Sequence, residues 1–160
     1  MLSLIKYFPN FLKKKNIKNP NIIVPAVGWS TSYYPVSQCG FKLKFVDINL
    51  KTLNIDIEKV ELAIDKNTVA VLPINLLGNP CNYKDLNRIS NKKNLNLLED
   101  NCESMGATFN NKFCGTMGLM GTHSLFFAHH MQTMEGGMIL TNSNKINDIL
   151  RSLRAHGWAR

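Results

Sequence analysis

Short apolar runs alternate with polar segments of helical period along the whole chain, and this alternation fixes the class of fold. Residues 21–25 (NIIVP), 41–47 (FKLKFVD), 68–74 (TVAVLPI), 95–99 (LNLLE), 124–127 and 138–141 read as strands. Between them lie helical patterns at 30–40, 56–65, 83–93 and 144–156. The first of these opens at a Ser/Thr cap and closes on a glycine, and Asp56 is placed to cap the second. Residues 1–15 carry apolar side chains at helical spacing interrupted by Pro9, and Lys13, Lys14 and Lys15 read as a solvated helix end. Strand, helix, strand in this order implies an α/β domain, a mostly parallel sheet with helices on both faces. In such sheets ligands bind beyond the carboxyl ends of strands, so Trp29, Ser30, Asn75 and residues 100–103 are the positions to watch.

A chain of 160 residues has room for one domain with a real core. Hydrophobic residues make up 44% and charged residues 19%, which excludes a disordered or coiled-coil chain. The net charge is +8, but it comes from 15 Lys and only 4 Arg beside 20 Asn. Readers of nucleic acid favour the bidentate guanidinium, so the charge is compositional and no nucleic-acid partner is expected. No apolar stretch reaches the roughly 18 residues of a membrane span, and no signal peptide is recognisable. Cys39, Cys81, Cys102 and Cys114 are too scattered for a metal knuckle. Free thiols in a reducing cytoplasm, with no metal site, are expected.

Three segments carry groups suited to chemistry. In 97–107 (LLEDNCESMGA) a strand ends at Asp100, with Glu103 three residues on. A carboxylate there suits a protonated ring nitrogen such as a pyridinium, and it equally suits the cap of the following turn. In 121–137 (GTHSLFFAHHMQTMEGG) Ser124 precedes the pair His129–His130, then Glu135 and two glycines. On a strand the two imidazoles would point to opposite sides, so that one of them serves a site and His130 is structural. In 24–32 (VPAVGWSTS) Trp29 sits where strand gives way to helix. Its ring serves either to stack on a planar ligand or to fill the core.

Together these segments resemble the DegT/DnrJ/EryC1/StrS sugar aminotransferase family. The resemblance runs through IIVPAVGWSTS, FKLKFVDINLKTLNID, VLPINLLGNP, LLEDNCESMGA and RSLRAHGW. It implies part of the large domain of a fold type I transferase dependent on pyridoxal 5′-phosphate. By that resemblance residues 1–160 are a partial cofactor-binding domain, without the N-terminal phosphate loop and the smaller C-terminal domain. It assigns Asp100 to the pyridine nitrogen, Glu103 to the vicinity of the phenolic oxygen, Ser124 to the phosphate and Trp29 to the ring face. The family reads S-F-x-x-x-K, with a lysine that holds the cofactor covalently, and here that position is His129. An imidazole has no primary amine, yet it can move a proton. Histidine at this place resembles the branch of the family that deoxygenates sugars at C3. The implied activity is dehydration of a nucleotide-linked 4-keto-6-deoxy sugar, a GDP-linked 4-keto-6-deoxymannose, for surface polysaccharide. Pyridoxal and pyridoxamine 5′-phosphate would be cofactors and glutamate the amino donor, in a homodimeric enzyme. A related branch acting on a CDP-linked sugar adds an iron–sulfur cluster, for which the scattered cysteines supply no ligands. An ordinary aminotransferase and a non-catalytic remnant are the competing readings. The first needs a lysine near the cofactor, and the second gives no reason for Trp29, Asp100 and Ser124 to persist together.

Overall fold

The computed structural model describes residues 2–7 and 17–158. Helices α1 (Leu2–Tyr7), α2 (Ser30–Gln38), α3 (Ile57–Ala63), α4 (Tyr83–Lys93) and α5 (Asn144–Arg154) pack about a six-stranded sheet. Its strands are β1 (Asn21–Pro25), β2 (Lys42–Val46), β3 (Thr68–Val71), β4 (Asn96–Asp100), β7 (Met120–Ser124) and β8 (Gly137–Leu140). The order is β2-β1-β3-β4-β7-β8, parallel except for the antiparallel β7–β8 pair. A short hairpin, β5 (Thr108–Phe109) and β6 (Lys112–Phe113), stands apart. Of the segment read as helical over 1–15, α1 is seen. Residues 8–16, with Pro9 and the lysine run, lie outside the described residues.

Strand alternation divides the core into two layers. Ile22, Val24 and Leu98 face one side and pack with Val36 of α2 and Ile146 of α5. Ile23, Val71 and Leu97 face the other and pack with Val60 of α3 and Leu86 of α4. The helices therefore cover both faces, as the alternating pattern implies.

Helix ends follow local chemistry. Asp56 caps α3, accepting from the amides of Glu58 and Lys59 at 3.0 and 3.1 Å. Asn82 caps α4, and Asn94 ends it in the left-handed region at φ 52°. The start of α2 differs from expectation. Its N-cap is Trp29 and no side chain caps it, because an indole has no acceptor to offer the first amides of the helix. The strand read at 124–127 also differs. The chain leaves the sheet at Ser124, whose Oγ accepts from the Phe126 amide at 3.2 Å and starts a turn.

Candidate active site

The strand order reverses at β1, which has β2 on one side and β3 on the other. Connections on opposite sides of such a point leave a crevice at the carboxyl ends. A cavity of about 940 Å³ lies there. Its walls come from the loops after β1 (Trp29, Ser32), β3 (Leu76, Leu77), β4 (Asp100, Glu103) and β7 (Ser124, His129, His130). Because β8 runs antiparallel, the segment leading into it adds Glu135 and Gly136 at the same end. All five residues singled out in the sequence, Trp29, Asp100, Glu103, Ser124 and His129, thus line one cavity.

Asp100 is the last residue of β4 and only 6% exposed. Its backbone is locked to the loop after β3, with its amide on Pro73 O and its carbonyl accepting from Asn75, both at 3.0 Å. The carboxylate accepts from Ser32 Oγ at 2.5 Å through Oδ2 and from the Cys102 amide at 3.1 Å through Oδ1. Both readings of Asp100 hold, since one oxygen closes the following turn while the group faces the cavity. Burial, then the charge of Asp100, push the Cys102 thiol far up, so this cavity thiol stays protonated and unreactive. Trp29 is 76% exposed, which removes the core reading of its ring.

Glu103 accepts from the Leu77 amide at 2.6 Å through Oε2. Leu77 is 73% exposed and held at φ 54°, a left-handed conformation that costs a branched side chain energy. Glu103 therefore pins the loop after β3 to the loop after β4 across the cavity floor. The turn after Ser124 places the two histidines otherwise than a strand would. Both line the cavity, so the expectation that at most one of them faces a given site does not hold. The His129 ring meets Phe126 edge-on, with centroids 6.2 Å apart.

Beneath the cavity lies a set of residues that periodicity alone did not single out. Glu99 is 1% exposed and accepts from the amides of Gly115, Met117 and Gly118 at 2.6, 2.7 and 2.5 Å. Asn75 donates to Asn101 Oδ1 at 2.6 Å and accepts from the Tyr83 hydroxyl at 3.0 Å. Burial holds the His123 imidazole below its ordinary range, against an opposing pull from Glu99. The one available signal was polar residues at the end of an apolar strand, Glu99 and Asn101 flanking Asp100. Among the described residues no group of three or more His, Cys, Asp or Glu side chains gathers as a metal ion requires.

Sheet order, two helical layers and a carboxylate-bearing crevice at the switch point define an α/β domain of the aminotransferase type. The DegT/DnrJ/EryC1/StrS aminotransferase family profile matches residues 11–160, and the chain belongs to that family. It is 57% identical to a GDP-4-keto-6-deoxy-D-mannose 3-dehydratase of Escherichia coli O55:H7, over 94% of this chain and 39% of that protein. It is 52% identical to the protein of the same name from Yersinia pseudotuberculosis, over 94% of this chain and 38% of that one. A crystal structure of GDP-4-keto-6-deoxymannose 3-dehydratase with bound GDP-perosamine superposes with a TM-score of 0.86 at 54% identity. The match covers 98% of this chain and 41% of that one. The chain thus spans about two fifths of the length of these relatives and represents part of their large domain.

Proposed function

We propose that the protein to which this chain belongs is a pyridoxal phosphate-dependent 3-dehydratase. It removes the C3 hydroxyl of a nucleotide-linked 4-keto-6-deoxy sugar, GDP-4-keto-6-deoxymannose, in surface polysaccharide synthesis. The observation that carries this reading is the composition of the cavity. It holds two histidines, an aspartate and two glutamates and, among the described residues, no lysine. An aminotransferase of this family needs that lysine to hold its cofactor covalently, and His129 stands in its place.

The donor set fits the cofactor. Trp29 offers an exposed indole face to a flat ring. Asp100 offers a buried carboxylate, held in place by two donors, to a ring N–H. Ser124 would offer a hydroxyl to a phosphate oxygen, and Glu103 would serve the phenolic oxygen of the ring. Bound as pyridoxamine 5′-phosphate, the cofactor supplies an amine for the sugar ketone and an electron sink. His129 takes up and returns the proton that the reaction displaces, and it leaves the cofactor free to exchange. Glutamate restores the amine, the working form is a homodimer, and the reaction runs in the cytoplasm. The names of the two curated relatives and of the solved structure support the same reading.

The test is to incubate the full-length enzyme with pyridoxal phosphate, glutamate and GDP-4-keto-6-deoxymannose and to identify the product by mass and NMR. The expected product is the 4-keto-3,6-dideoxy sugar, and His129→Asn lowers its rate by about 100-fold or more. A 4-amino sugar as the main product would overturn the reading.

A further inference from the structure

We infer that Ser32 is the positioning residue for Asp100, fixing the direction of the carboxylate relative to the start of α2. This rests on the cofactor reading above and assigns a role to a residue that reading leaves unused.

A serine in the first turn of a helix ordinarily caps its own helix or bonds a nearby carbonyl. Ser32 does neither with its side chain. Its hydroxyl reaches a residue 68 positions away, donating to Asp100 Oδ2 at 2.5 Å. The helix it leaves behind has no side-chain cap at all.

Asp100 needs such a partner. Its carboxylate is buried, and among the described residues no Lys, Arg or His forms an ion pair with it. The Cys102 amide belongs to the continuation of the same strand, so it travels with Asp100 and cannot define its direction relative to the rest of the site. Ser32 is the side-chain donor to Asp100 from another element. The terminal torsion of an aspartate is broad when free, and a second anchor on the other oxygen closes that freedom. Each carboxylate oxygen can accept twice, so Oδ2 retains capacity for a ring N–H after binding Ser32.

The same residue is tied to the backbone of Trp29. The Ser32 amide donates to Trp29 O at 3.0 Å. Two bonds in series therefore run from the Trp29 carbonyl through Ser32 to the end of β4.

The experiment uses the full-length holoenzyme, with pyridoxal 5′-phosphate and pyridoxamine 5′-phosphate as probes. Wild type, Ser32→Ala and Ser32→Thr are compared by cofactor titration and by the pH dependence of the bound chromophore's absorbance. Ser32→Ala is expected to raise the cofactor dissociation constant about tenfold and to shift the chromophore's pH titration. Ser32→Thr, which keeps the hydroxyl, restores both to within about threefold of wild type. If Ser32→Ala does not fold, Ser32→Cys keeps the volume with a weaker donor and gives the same comparison. Unchanged affinity and titration in Ser32→Ala would overturn the inference. So would weakened binding with an unshifted titration and no rescue by threonine, which is the signature of a merely structural role. A wild-type enzyme that binds no cofactor overturns the cofactor reading itself, and that result is seen before any variant is made.

Discussion

Glu99 and Asp100 are neighbours on β4, and strand geometry sends their carboxylates to opposite faces. Asp100 faces the cavity. Glu99 points into the layer beneath, where three backbone amides of residues 115–118 close on it. No apolar side chain can replace that arrangement, because the three N–H groups would lose their acceptor together. Glu99→Ala is therefore expected to destabilise the chain by about 3 kcal/mol. The midpoint of urea unfolding reads this directly, with an unchanged slope. A shift under about 1 kcal/mol would mean that water replaces the carboxylate on these amides. The sequence showed two adjacent acids at the end of an apolar run, and their order made Asp100 the candidate. It could not show that the first acid is structural, since its partners come from a loop some 16 to 19 positions on. The placement of His129 and His130 departs from expectation for a related reason. The turn opened by the Ser124 hydroxyl replaces strand alternation, so both imidazoles reach one cavity.

At the level of elements, strands and helices were legible wherever one physical signal dominated. The span of α4 follows from its amphipathic period, its Asn82 cap and the left-handed Asn94. The hairpin β5–β6 escaped notice because its strands have two residues each. Its only mark is Asn110–Asn111, whose positive φ values form the turn. A tie at the opposite end of the sheet from the cavity was equally hidden. Asp65, after α3, accepts from Lys44 of β2 at 2.7 Å, from Asn21 of β1 at 3.0 Å and from the Asn67 amide at 2.8 Å. The Lys44 bond, with help from Asn21 and Asn67, holds the Asp65 carboxyl well below its ordinary value near 3.8. A depressed carboxylate contributes stability above its unfolded value and loses it as protons are forced on. Asp65→Asn should thus be less stable than wild type at neutral pH, and the difference should shrink as pH falls below about 4. Its side chain is 42% exposed, so solvent screening keeps the effect under about 1 kcal/mol. Thermal unfolding of both proteins at pH 7 and pH 3 checks it. A difference that does not narrow at the lower pH would show that the carboxylate's charge is not what ties β1 and β2.

At the scale of the whole molecule, the sheet is covered on both faces but not along its β8 edge. Met138, Ile139 and Leu140 of β8 are 42%, 45% and 37% exposed, and Phe127, Met131 and Met134 are exposed in the turn that precedes it. An apolar strand with an unpaired edge is a template for pairing with another chain, and soluble domains shield such edges with charge, bulges or a covering segment. None of these devices is present along β8 among the described residues. A row of three exposed apolar side chains, alternating between the two faces of the strand, beside further exposed methionines and a phenylalanine is of the kind that drives association. The 160-residue chain prepared alone should therefore self-associate at micromolar concentration and bind pyridoxal phosphate weakly, although its cavity residues are in place. Sedimentation velocity tests the first statement. Ile139→Lys puts a charge in the middle of the row without touching the cavity, and it should move the distribution toward monomer. A wild-type chain that sediments as a sharp monomer and binds the cofactor with micromolar affinity would show that the edge is tolerated. It would also show that the site needs no further surface to hold its ligand. If instead Ile139→Lys restores the monomer and cofactor affinity stays low, the two deficits have separate origins. The edge then governs association, and the strength of binding depends on contacts beyond the loops after β1, β3, β4 and β7.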